Sequence, residues 1–207
     1  MAADPWPIIH AEREALVADL APLTDAQWAT PSLCSAWTVR DVLAHMTATA
    51  KMTPPRFIGK FIGSGFRFNA MSAKNVRAEL GDTPADTFAG FKSQLEATTH
   101  PPGPIDAMVA EAVIHSEDIR RPLGIARTYP DDALRTVATF ITRGNLLLGG
   151  KRRAAGLTLR ATDVAWTHGS GPEVSGPMIS LIMALVGRRA GLEQLEGDGL
   201  ATLRERL

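Results

Sequence analysis

The run Trp37-Thr38-Val39-Arg40-Asp41-Val42-Leu43-Ala44-His45 carries the signals for the start of a helix that holds a histidine. Thr38 is a natural N-cap, and Asp41 three positions later completes a capping-box-like pair. Because a helix turns by about 100° per residue, the apolar residues after the cap form one stripe with His45 at its flank. The run therefore predicts a helix over residues 38–52 that packs its stripe into a core and keeps His45 at the edge.

A second run, Glu111-Ala112-Val113-Ile114-His115, lies in a predicted helix over residues 105–120. Glu111 and His115 are one turn apart on one flank, so both can face a single ion. Two imidazoles and one carboxylate suit a divalent metal such as zinc and leave coordination positions open. Spacing alone leaves the alternatives open, because a lone histidine is commonly half-buried and Glu-x-x-x-His can be a weak surface ion pair.

Apolar residues at helical spacing predict that most of the chain is helical, with breaks at prolines and glycines. The predicted helices cover residues 5–21, 38–52, 84–99, 105–120 and 131–149. Residues 54–82 stay ambiguous between a helix broken by glycines and a mobile segment over a pocket.

The pattern changes after Gly150. Residues 157–162 alternate between apolar and polar, which is the period of a half-buried strand, and residues 164–167 are its predicted partner. An apolar helix over residues 176–190 follows. The sequence therefore predicts a mainly α protein with a small C-terminal α+β unit, divided near residue 150 into domains of residues 1–150 and 151–207.

Composition excludes several classes of protein. Lys+Arg and Asp+Glu both total 22, so the formal charge is zero and the basic footprint of a nucleic-acid-binding protein is missing. Neither a signal peptide nor an apolar run of membrane-spanning length is present, so we expect a cytoplasmic protein without a membrane partner. The only cysteine, Cys34, excludes an intramolecular disulfide and is interpreted as a buried or half-buried loop thiol rather than the nucleophile.

Residues 28–45 resemble the start of the mycothiol-dependent maleylpyruvate isomerase family, which belongs to the DinB-like superfamily of four-helix bundles. The segment 111–124 is similar to the Glu-x-x-x-His-x-x-Asp segment of that family, and residues 157–195 are similar to its small C-terminal unit. The resemblance implies a DinB-like four-helix bundle in which His45, Glu111 and His115 hold a divalent metal. Zinc is the first expectation, with nickel or iron as alternatives, and mycothiol is the implied co-substrate.

Three further residues are candidates with two interpretations each. Asp41 and Asp118 lie about one turn from the two histidines, where a carboxylate can orient an imidazole, but Asp41 can equally act only as a helix cap, and the role of Asp118 is open in the same way. Arg188, followed by Arg189, can clamp a substrate carboxylate or can simply be a cation at a helix C-terminus.

Three functions follow from this site. The first is a metal-dependent isomerase or transferase that uses the thiol of mycothiol. The second is a metal-dependent hydrolase that uses metal-bound water, and the third is a non-catalytic bundle that binds a metal or a small ligand. In each case the expected partner is a small molecule, and the protein is expected to be a monomer or a homodimer.

Overall fold

The computed structural model describes residues 4–145 and 148–207. The chain forms two compact units, Met1–Arg127 and Thr128–Leu207. The helices of the first unit are α1 Trp6–Leu20, α2 Asp25–Trp28, α3 Val39–Ala50, α4 Pro54–Gly63, α5 Phe68–Glu79, α6 Pro84–Lys92 and α7 Asp106–Arg120. The second unit contains α8 Asp131–Arg143, α9 Gly150–Ala154, β1 Thr158–Ala161, β2 Thr167–Gly169, β3 Glu173–Gly176, α10 Met178–Leu185 and α11 Leu200–Glu205.

The start of α3 forms the capping box that the sequence predicts. The Thr38 N–H donates to Asp41 Oδ2 at 2.9 Å, and the Asp41 N–H donates to Thr38 Oγ1 at 3.2 Å. These bonds satisfy backbone donors that have no partner within the helix. The cap therefore sets where α3 begins, and through the helical repeat it sets the side on which His45 lies.

The central helix of the first unit is α3, which packs against α5, α6 and α7, while α1 packs against α7. The core holds side chains from α1, α3, α6 and α7 that are almost completely buried. Its members include Leu16, Leu20, Val39, Val42, Leu43, Met46, Phe91 and Ile119. The apolar stripe of α3 thus faces the core, as its spacing predicts.

The ambiguous segment 54–82 is helical in two pieces. Pro54 and Pro55 follow the end of α3 and occupy the first turn of α4, where a missing N–H costs nothing. A break at Ser64–Arg67 separates α4 from α5, with Gly65 and Phe66 both at positive φ. The prediction of a helix broken near glycines fits this arrangement.

The second unit is built on a three-stranded sheet in the order β2-β1-β3, with β1 antiparallel to β2 and parallel to β3. The predicted partner strand over residues 164–167 is displaced, because residues 162–166 form the turn and pairing begins at Thr167. Helix α10 is apolar apart from Ser180, and all of its residues except the partly buried Ile179 are buried.

The contacts divide the chain between Arg127 and Thr128 rather than near residue 150. The reason is that α8 packs against α10, so it belongs to the C-terminal unit although it precedes the change of sequence pattern. The mainly α class with a small C-terminal α+β unit is confirmed. Among the described residues, no helix combines the length and the apolar character needed to cross a membrane.

Candidate metal centre

The packing of α3 against α7 brings the two predicted histidines into contact. The ring centroids of His45 and His115 are 4.9 Å apart and the ring planes meet at 78°. The two residues are about seventy positions apart in the chain, so their contact comes from the flank positions that both occupy on packed helices. Among the described residues, the three-residue group whose ligand atoms all lie within 4.8 Å of one another is Cys34, His115 and Asp118, so His45, Glu111 and His115 would have to move closer together to share one ion.

The His115 ring is oriented by a hydrogen bond with Asp118, which lies one turn further along α7. The distance between His115 Nδ1 and Asp118 Oδ2 is 3.0 Å, and the Asp118 side chain is completely buried. Burial alone would lower the pKa of His115, but hydrogen bonds with Asp118 and Cys34, together with the charges of Asp118 and Glu111, outweigh it and raise this pKa to about 10. Because Nδ1 is engaged, Nε2 is the ring nitrogen left for a ligand, as in carboxylate–histidine–zinc arrangements.

Glu111 supplies the clearest sign that a cation belongs here. Its Oε1 is buried and has no hydrogen-bond partner in the described structure. Burial raises the pKa of Glu111, while the charges of His115 and Arg13 partly oppose this rise. The Arg13 guanidinium instead donates to the backbone oxygens of Gln94 and Ala97, at 3.0 and 2.8 Å. An unpaired buried carboxylate oxygen is unfavourable, so this donor set fits a divalent cation.

His45 is in the form that a metal ligand requires. Burial lowers its pKa to about 3, with a further decrease from the charge on His115, so the imidazole is neutral at neutral pH. Its Nδ1 lies 3.5 Å from Ser72 Oγ, and its ring lies 4.9 Å from the Trp37 ring, measured between centroids. Trp37 therefore walls the site, and it also packs against the core.

A further group at the site, Cys34, is not among the site residues proposed from the sequence. Ligand atoms of Cys34, His115 and Asp118 all lie within 4.8 Å of one another. The thiol also forms a hydrogen bond with His115. The position of Cys34 depends on a bond between distant residues, in which the Leu33 N–H donates to the Asp118 backbone oxygen at 3.1 Å. In the sequence, the only indication that Cys34 could lie at a metal site is that a thiol can bind metal.

The remaining two candidates are placed differently. Both described hydrogen bonds of the Asp41 carboxylate go to Thr38, which favours the capping interpretation. Arg188 lies in the second unit beyond the end of α10, and its Nη1 donates to the Val186 backbone oxygen at 3.2 Å. A substrate-clamping role for Arg188 stays a prediction.

A small pocket of about 60 Å³ opens beside His45. Residues of α3, α4 and α5 together with Pro101 form its wall, so the ambiguous segment 54–82 covers this pocket. Most of the wall is apolar, and the polar groups near His45 come from Thr49, Ser72 and Asn75. The site thus combines ligand chemistry with room for part of a small molecule.

Comparisons with known proteins give one family match by sequence. The family model described as "Mycothiol maleylpyruvate isomerase N-terminal domain" matches residues 9–100, a range that contains His45. No curated protein matches the chain.

Two solved structures have a similar fold, a mycothiol-dependent maleylpyruvate isomerase (TM-score 0.63, 17% identity) and a variant of such an enzyme with a histidine replaced by alanine (TM-score 0.62, 16% identity). Each match covers 93% of this chain and 91% of the other. At this identity the likeness to the two solved structures concerns the fold alone. The resemblance stated from the sequence is therefore confirmed, and residues 9–100 are similar to the N-terminal domain of mycothiol maleylpyruvate isomerase.

Proposed function

We propose that the protein is a divalent-metal-dependent enzyme that uses a small thiol, mycothiol, in an isomerase or S-transferase reaction. His45, Glu111 and His115 are the proposed ligands, and zinc is the metal that this donor set suits best, ahead of nickel or iron. A divalent metal at this place would lower the pKa of a thiol and make it an anion near neutral pH.

The observation that carries the proposal is the unpartnered buried oxygen of Glu111 on the same helix as His115, whose ring contacts His45. Burying a carboxyl oxygen without a hydrogen-bond partner is costly, and a neutral side chain at this position would avoid the cost. A cation bound by all three residues removes this cost.

The surrounding residues have defined tasks in this proposal. Asp118 holds His115 in one orientation, which keeps Nε2 directed towards the ion. Trp37 and the apolar wall of the pocket limit the access of water, and this strengthens electrostatic interactions at the site. Ser72 and Asn75 offer hydrogen bonds to a polar part of the substrate.

Calorimetric titration of zinc into metal-free protein tests the ligand set. We expect one ion per chain for the wild type and a large loss of affinity for His45→Ala, His115→Ala and Glu111→Gln. This loss should exceed the roughly 10–100-fold typical of residues that only orient a ligand. His168→Ala is the matched control, because His168 is a half-buried histidine in β2 of the second unit.

Titration of mycothiol into zinc-loaded and zinc-free protein tests the thiol. Binding that requires zinc supports the proposal. A wild type that binds zinc but no mycothiol would contradict the thiol route and leave hydrolysis by metal-bound water. A wild type that holds no divalent metal would contradict the proposal as a whole.

A further inference from the structure

Cys34 carries a thiol that can bind a metal, and it lies at the site. The proposed function gives this side chain no role. It is half-buried, and its thiol hydrogen-bonds to His115. The sulfur, a His115 ring nitrogen and an Asp118 carboxylate oxygen lie within 4.8 Å of one another. The three residues come from the loop before α3 and from α7, so the cluster exists only because these two segments are bonded together.

The loop holds Cys34 in a defined place. The Cys34 N–H donates to Ser32 Oγ at 3.1 Å, and the Trp37 N–H donates to the Cys34 backbone oxygen at 3.0 Å. Ala36 has a φ of 73°, a left-handed conformation that is unfavourable for alanine. Residues in such conformations persist where the surrounding structure imposes them, and they concentrate at functional sites.

The distances suit coordination after a small adjustment. Two ligands of a tetrahedral zinc ion, each about 2.0–2.3 Å from the metal, are separated by roughly 3.3–3.8 Å. Atoms within 4.8 Å of one another therefore need to approach by no more than about 1.5 Å to share an ion. A side-chain rotation of Cys34 supplies a movement of this size.

The chemistry of the site also favours a sulfur donor. The unpaired oxygen of Glu111 is a separate observation that points to a cation next to His115. Nitrogen, oxygen and sulfur donors are those that zinc takes from proteins, and thiolate is among the most favoured. Zinc can also become five-coordinate, so a fourth protein ligand leaves room for a substrate atom.

We infer that Cys34 Sγ is a ligand of the metal ion that His115 binds. This inference rests on the proposed function, because it requires the metal centre to exist. It adds a thiolate to the proposed ligands His45, Glu111 and His115. The ion is then bound by two imidazoles, one carboxylate and one thiolate in the absence of substrate.

Cobalt(II) substitution in the full-length protein tests the inference, because thiolate ligation adds a near-ultraviolet sulfur-to-cobalt charge-transfer band to the visible ligand-field bands. The spectrum is assignable without ambiguity, since Cys34 is the only cysteine in the chain. The titration is made without added thiols. We expect both kinds of band for the wild type and complete loss of the charge-transfer band for Cys34→Ser, with visible bands retained. Ser35→Ala, an exposed neighbour in the same loop, should keep both.

The outcomes separate the inference from the proposed function. Visible bands without a charge-transfer band in the wild type would overturn the inference and leave the metal centre intact. A charge-transfer band that persists in Cys34→Ser would overturn it as well. No visible bands in the wild type would mean that the proposed metal centre itself fails. Should Cys34→Ser fold poorly, alkylation of the wild-type thiol by iodoacetamide decides, because cobalt must protect a coordinated Cys34 and leave an uncoordinated one reactive.

Discussion

At the scale of single residues, His115 can bind either a proton or a metal ion. In the metal-free protein its imidazolium is stabilised by Asp118 and Cys34, which outweigh the effect of burial on its pKa. A bound metal would replace a proton on the same ring, so metal and proton compete for this residue. His45 differs, because burial already keeps its ring neutral at neutral pH. Only one of the two histidines therefore has to lose a proton when an ion binds.

The raised pKa of His115 predicts how the stability of the metal-free protein depends on pH. The folded value is about 10 and the ordinary value is 6.5, so between these values the folded protein holds a proton that the unfolded chain has lost. The stabilising contribution of His115 to the free energy of unfolding should be complete below about pH 6.5. The free energy of unfolding should then fall as the pH rises towards 10. Urea unfolding at several pH values, with chelator present, measures this decrease.

Asp118→Asn is the variant that tests this explanation. An amide can accept a hydrogen bond from His115 but carries no charge, so the pKa of His115 should move back towards its ordinary value. The alkaline decrease in the free energy of unfolding should then become smaller. An unchanged decrease in Asp118→Asn would show that other groups cause it.

At the scale of single elements, Asp41 at the start of α3 can have a structural role as a helix cap or a functional role in orienting His45. The capping box positions the first turn of α3, while His45 lies one turn further along the helix. A cap contributes to the stability of the helix, whereas a residue that orients a ligand contributes to metal affinity. The two contributions can be measured on the same variant.

Asp41→Ala should lower the free energy of unfolding by about 1 kcal/mol, as is typical when a cap is lost. Its zinc affinity should equal that of the wild type, since the described bonds of Asp41 go to Thr38. Asp86→Ala is the matched control, because Asp86 forms the same capping box at the start of α6. A 10–100-fold loss of zinc affinity in Asp41→Ala, without one in Asp86→Ala, would show that Asp41 orients His45.

The predicted elements differ in how well the sequence located them. Helices α1, α3 and α7 begin and end within a few residues of their predicted bounds, because caps, prolines and apolar spacing act over one or two turns. Strand β3, Glu173–Gly176, was not predicted, since it follows a glycine-rich turn and acquires its pairing from β1. Such short strands are formed by their partners rather than by their own pattern.

At the scale of the whole molecule, ion pairs connect α1 and α7, the first and the last α-helix of the first unit. Arg120 near the end of α7 is completely buried and forms ion pairs with Glu12 and Asp19 of α1. Glu12 also pairs with Arg127 at 3.2 Å. Buried pairs of this kind are weak evidence for net stability, but removing one partner leaves an uncompensated charge.

Glu12→Ala should therefore be among the most destabilising substitutions in the chain. We expect a loss of about 3 kcal/mol in the free energy of unfolding, at the lower end of the range for a broken buried pair, because Arg120 loses its buried partner and keeps only the partly exposed Asp19. Glu173→Ala removes the partner of Arg160 in an exposed pair and should have a far smaller effect. Chemical denaturation of both variants measures the difference, and similar losses would contradict a special role for the buried pair.

The sequence by itself determined the local features of this protein. The caps of α3 and α6, the flank position of His45 and the spacing of Glu111, His115 and Asp118 depend on contacts between residues three or four positions apart. The resemblance to the family could be recognised for the same reason, because its motifs are continuous in the chain.

Only the tertiary structure decided which of these features meet. It placed Cys34 beside His115 through a backbone bond to Asp118, left the Glu111 oxygen without a partner, and assigned α8 to the C-terminal unit. Each outcome depends on packing between segments far apart in sequence. No local pattern encodes such packing, because it is selected by the burial of the whole set of apolar surfaces at once.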